Sequence, residues 1–202
     1  MPSLFGSNIT PTGTRAGYLG LTPPTGWVLA CSRTIGNAAS GGTERAHADT
    51  FPLFKLLWDS YADAQAPVSG GRGASAAADY AANKTIAVID YRGRTGAGKD
   101  NMGGVAANRV TSGGSGVTGT TLGAVGGAET HALTTAQLAS HDHGTGQGGE
   151  SFALADGLTF TATPGAGVYG ANSLASTTAT SGSGTAHNNL TPTVIETIIV
   201  KL

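Results

Sequence analysis

Three of the chain's five histidines, His131, His141 and His143, fall between Gly127 and Gly144, and His141-Asp142-His143 forms a His-x-His pair. On an extended strand alternate side chains share a face. His141 and His143 would therefore point the same way, roughly 6–7 Å apart along the backbone, with Asp142 on the other side. Imidazole is the commonest metal ligand at neutral pH, and two rings on one face can converge on one ion. Structural metal sites need four or more ligands, however. No CxxC, HExxH or EF-hand pattern supplies the rest. The pair makes a site if several copies of the chain bring their pairs to one axis; otherwise it is a surface strand with two solvated histidines. His131 reads as a structural hydrogen-bonding residue.

A second stretch resembles a phosphate-binding loop. Gly93-Arg94-Thr95-Gly96-Ala97-Gly98-Lys99 fits G-x-x-x-x-G-K. That loop requires Ser or Thr next, to hold magnesium, and then a helix whose N-terminus faces the phosphates. Here Asp100 follows, which repels phosphate, and Asn101-Met102-Gly103-Gly104 opens a helix poorly. The nucleotide reading fails on both counts. Nucleophilic catalysis has little support either. His47, His131, His141, His143 and His187 have no Ser or Cys nucleophile beside them in a recognisable frame, and G-x-S-x-G is absent. Carboxylates are too few and dispersed to nominate a glycosidase pair, although such a pair need not be close in sequence.

The elements that must hold these residues are unevenly spread. Charged residues are 11% of the 202, the net charge is −1, and 33 residues are Gly. So low a charge density suits a chain that hides surface in an oligomer, or one built of fibrous and looping segments. No basic excess draws nucleic acid or an anionic membrane. No run of about twenty apolar residues spans a bilayer, and no signal peptide is expected. The single Cys31 excludes an intrachain disulfide.

Residues 1–25 are turn-rich and suit lying on a neighbour or anchoring to another protein. Gly26-Trp27-Val28-Leu29-Ala30 reads as a short strand with Trp27 as core anchor. The spacing of Phe54, Leu57, Trp58 and Tyr61 predicts one helix, capped by Thr50, with Pro52 in its first turn. Its apolar stripe is expected to pack on the sheet containing Trp27. Residues 66–83 read as a long excursion, and Thr85–Ile89 as a β-branched strand. Residues 144–187 carry Gly at close intervals with scattered Phe152, Phe160 and Tyr169. They read as exposed loops on a rigid base in preference to disorder. The apolar end, 188–202, should return as a strand closing the sheet near Trp27.

Several of these segments resemble, in order, the motifs of the bacteriophage tail-collar family. Glu129-Thr130-His131-Ala132-Leu133-Thr134 through Leu138, then Ser140-His141-Asp142-His143, resembles G-x-x-x-H-x-L-T-x-x-x-[ML]-P-x-H-x-H, with Ala139 in place of Pro. Gly26-Trp27-Val28-Leu29 resembles P-x-G-W-L-L, and residues 50–61 the family's T-Y-x-x-L-F helix. Asp90-Tyr91-Arg92-Gly93-Arg94 resembles P-D-L-R-G-R, with Ile89 for Pro and Tyr91 for Leu. Asp100–Gly104 matches D-N-M-G-G, and 188–202 resembles N-x-x-P followed by an apolar strand ending in I-I-K, with Val200 inserted. Arg92 and Arg94 are expected to be ion-pair partners, a sugar or phosphate role coming second.

The resemblance implies a mainly β, Gly-rich domain with one short helix, in an intertwined trimeric fibre tip. It implies iron or zinc on the trimer axis, held by His141 and His143 of each chain. The organisation expected is an attachment segment at 1–25, a collar-like base at 26–143 closed by 188–202, and receptor-binding loops at 144–187 using Phe152, Phe160 and Tyr169. The implied protein is not an enzyme. It sits in the virion tail, binds other tail or baseplate proteins through its N-terminal segment, and meets a host-cell surface glycan or protein. A purely structural virion component, or less favoured a glycan-degrading tailspike, are the alternatives.

Overall fold

A computed structural model describes residues 10–139 and 184–202. In chain order its strands and helices are β1 (Arg15–Tyr18), β2 (Trp27–Leu29), β3 (Thr34–Gly36), β4 (Arg45–Ala46), α1 (Phe51–Ser60), α2 (Ala76–Ala81), β5 (Ile86–Ala87), α3 (Ser112–Ser115), β6 (Thr130–His131), β7 (His187–Asn188) and β8 (Thr197–Lys201). The chain divides into two compact units, residues 1–127 with 191–202, and residues 128–190. The architecture is one of small mixed sheets with few helices. The single helix expected from sequence is corrected to three α-helices among the described residues, two of them short.

In the first unit the C-terminal strand is the centre of a sheet ordered β1-β8-β2, antiparallel on both sides. Val200 faces Arg15 on one flank and Val28 on the other, and Trp27 pairs with Lys201. The apolar C-terminus thus returns to the Trp27 strand. Residues 15–18, within the segment expected to lie on a neighbour or anchor to another protein, form an edge strand of this sheet. On β2 the side chain in the core is Val28, while Trp27 stays half-buried. Alternation on a strand allows only one of two neighbours to face inward, so the anchoring role given to Trp27 belongs to Val28.

A second sheet, β4-β3-β5, pairs β3 parallel to β4 and antiparallel to β5. The stripe of α1 packs chiefly on this sheet and on α2, and shares one core with Val28 and Val200 of the Trp27 sheet, where it was expected. Leu53, Phe54 and Leu57 are its buried face, and Pro52 takes the first turn. Thr50 does not cap α1 with its side chain. Its buried hydroxyl instead lies 2.8 Å from the carbonyls of Gly36 and His47 and 3.0 Å from the Tyr80 hydroxyl. That network ties β3 to both helices. The preceding 3-10 turn, Ala48–Thr50, is capped by His47 Nδ1, which accepts from the Asp49 N–H at 3.2 Å.

Residues 66–83 are ordered, against the expectation of an excursion. Ser75 caps α2 by accepting the Ala78 N–H, and Ala66, Val68 and Ala76 enter the core. Small side chains let α2 approach closely, and Tyr80 fills the gap with rings at 4.9 Å from Phe51 and 5.2 Å from Phe54. Arg72 lies over the Trp58 ring and donates to the carbonyls of Trp58 and Ala66.

Beyond Val88 the packing changes. No described residue between Ile89 and Ile198 is buried. In the first unit this stretch is held by carboxylates and turns. Asp90 pairs with Arg92 (2.9 Å) and Arg94 (3.6 Å), so both arginines are the ion-pair partners expected, although the chain turns there and does not continue as a strand. Asp100 accepts from the backbone N–H groups of Asn108, Arg109 and Val110 at 2.8–3.2 Å. The four-residue α3 ends at Gly116, whose φ of 71° suits a residue without Cβ.

Candidate functional site

Among the described residues the second unit holds a ladder of two register pairs. β6 and β7 run antiparallel with Thr130 opposite Asn188 and His131 opposite His187. Asn189 N–H donates to the Glu129 carbonyl at 2.9 Å and extends the pairing by one bond. Directly opposed residues on such strands put their side chains on one face. The two imidazoles are accordingly in contact, centroids 6.1 Å apart and planes at 78°.

After β6 the chain makes a 3-10 turn, Thr135–Gln137, closed by a capping box between Thr134 and Gln137. Gln137 Oε1 receives the Thr134 N–H at 2.8 Å and the Thr134 hydroxyl at 3.1 Å. The same oxygen lies 3.1 Å from His131 Nε2. His131 is thus a hydrogen-bonded residue, as its sequence context suggested. His187 Nδ1 lies 3.3 Å from the Asn188 carbonyl.

The ladder fixes where the chain leaves and re-enters. The segment 132–186 starts and ends side by side because its flanking residues are register partners. It contains every site residue proposed from sequence. His141, His143, Phe152, Phe160 and Tyr169 all lie outside the described residues. Among the described residues no three His, Cys, Asp or Glu side chains gather as a metal site.

Two features of the first unit bear on other readings. Asp100, which ends the phosphate-loop-like run, points its carboxylate into its own loop, and the backbone N–H donors of Arg109, Asn108 and Val110 hold it below the usual carboxylate range. The backbone of Asn108–Val110 therefore cradles a carboxylate of the same chain. An open cleft of about 690 Å³ is lined by Trp27, Arg33 and Glu44 among others. Glu44 accepts the Leu29 N–H at 2.8 Å and pairs with Arg33 at 3.2 Å, so its charge is used in joining β2 to the next strand.

Sequence reading missed His187 and Gln137. A signal for Gln137 was present, since Thr134-x-x-Gln137 is a capping-box pattern. His187 carried none, because its partner is set by long-range register. No helix among the described residues is long and apolar enough to cross a membrane. Compared with protein-family models, curated proteins and solved structures, the chain matches none.

Proposed function

We propose that this chain is a phage tail-fibre or tail-tip protein that works as a homotrimer and binds a host-cell surface receptor. The observation that carries the reading is the long stretch from Ile89 to Ile198 in which no described residue is buried. Met102, Val105, Val125, Leu133, Leu138, Leu190, Val194 and Ile195 are all exposed along it. Apolar side chains so placed are stable when other chains cover them. The low charge of the chain and the tail-collar-like motifs agree with covering by further copies.

In this reading His141 and His143 of three chains hold one iron or zinc ion, which supplies a structural cross-link. Six imidazoles suit octahedral iron better than the usual tetrahedral zinc. The attachment to other tail or baseplate proteins falls to the N-terminal segment, and host contact to 144–187 with Phe152, Phe160 and Tyr169. Mass measurement of the purified protein at micromolar concentration tests the reading: a trimer carrying one tightly held metal ion is expected. Pure monomer rules out the assembly, and a metal-free trimer rules out the ion. Competition of the purified protein with phage adsorption to host cells tests the receptor role, with no competition as the contrary result.

A further inference from the structure

The geometry points to a second transition-metal site, formed by His131 and His187 within one chain and separate from the His141–His143 pair. It takes a divalent ion such as Cu²⁺, Ni²⁺ or Zn²⁺ on two imidazoles, with water completing the coordination. The case does not depend on the fibre reading.

The Thr134 N–H can only donate, so the side-chain atom of Gln137 that it meets at 2.8 Å is the carbonyl oxygen. That oxygen also faces His131 Nε2 at 3.1 Å, so Nε2 must carry the proton. The lone pair of His131 therefore sits on Nδ1. The Asn188 carbonyl likewise can only accept, which places the proton of His187 on Nδ1 and its lone pair on Nε2. Each ring thus has one nitrogen protonated against an oxygen and one with an available lone pair. That is the outer-shell arrangement that prepares histidines to ligate a metal, because the oxygen fixes the tautomer and the orientation of the ring.

The spacing fits as well. With metal–nitrogen bonds of about 2.1 Å and a ring radius of roughly 1.2 Å, two rings on one ion have centroids about 6.6 Å apart when trans, about 5.4 Å in a tetrahedron and about 4.7 Å when cis. The observed 6.1 Å falls between the trans and tetrahedral values, and rotation of the side chains on binding brings the rings to the ion. His187 is exposed and His131 half-buried, so an ion reaches them from solvent. Two protein ligands make a weaker site than three or four, and copper is the tightest-binding probe of the series.

The test uses the full chain carrying His141→Ala and His143→Ala, which removes the other pair. Cu²⁺ is titrated at micromolar concentration by equilibrium dialysis, with electron paramagnetic resonance reading the nitrogen ligands. One saturable copper per chain with two ring nitrogens is expected, and adding His187→Ala should abolish it. Should His187→Ala not fold, His187→Asn takes its place. Gln137→Leu, which frees the His131 tautomer, should weaken binding 10- to 100-fold. No saturable copper in the double variant, or binding unchanged by the His187 substitution, overturns the proposal. Either result leaves the trimer and its axial metal to be judged by mass alone.

Discussion

Asp79 is the buried carboxylate among the described residues. It accepts from Trp58 Nε1 (2.9 Å) and the Gly73 N–H (2.8 Å), and pairs with Lys84 Nζ at 2.8 Å. Burial alone would push its carboxyl pKa up. The donors of Lys84, Gly73 and Trp58 outweigh it and bring the value from 3.8 down to about 2. Because the folded value is depressed, the stabilisation is complete above about pH 4 and disappears as pH falls towards 2. Asp79→Ala strands two N–H donors and a lysine, and should cost about 3 kcal/mol by chemical denaturation at pH 7. Asp79→Asn should flatten the acid dependence of stability between pH 4 and 2 without removing it. Asp90 titrates in the same window, held near 2 chiefly by hydrogen bonds from Arg92. An unchanged acid profile would show that Asp79 contributes nothing to it.

At the scale of elements, β8 decides the first unit, since both flanking strands pair with it and not with each other. Val200→Asp would bury a charge between Arg15 and Val28, and should cost several kcal/mol or abolish folding. Val194→Asp, at a residue 82% exposed, should leave the thermal unfolding of that unit in place. Equal losses from the two would refute the central role of the strand. How far the elements could be read beforehand follows from where their information lies. α1 was legible because Phe54, Leu57 and Pro52 are local signals, and β8 because a run of β-branched apolar residues cannot stay in water. Of its partner sheet only β5 was legible, within the β-branched Thr85–Ile89, since β3 and β4 are three and two residues long and exist only through pairing across the chain. Helix α2 was hidden by its Gly-rich surroundings, although Ser75 followed by three alanines is a capped helix start. The His131–His187 contact rests on register alone, which no local pattern encodes.

For the whole molecule, the β6–β7 ladder makes the division of labour directly testable. Because His131 and His187 are paired, the chain between them can be cut back without pulling the first unit apart. In the proposed reading residues 144–187 carry the recognition surface, and trimer formation falls to the rest. Single receptor contacts are weak, but three on one particle engage together, so avidity can exceed one-site affinity by about 10²–10⁴. Replacing 144–186 with a short Gly-Ser linker stops before His187 and so retains His141, His143 and the ladder. The shortened protein should therefore keep the mass of a trimer and its metal, and retain its thermal unfolding. It should lose competition with phage for host cells by at least the avidity factor. If it competes as well as the full chain, recognition lies in the base, and the exposed apolar residues between Ile89 and Ile198 become the surface to mutate. If instead it falls to monomer, the segment is part of the assembly, and the separation of base from recognition loops is wrong.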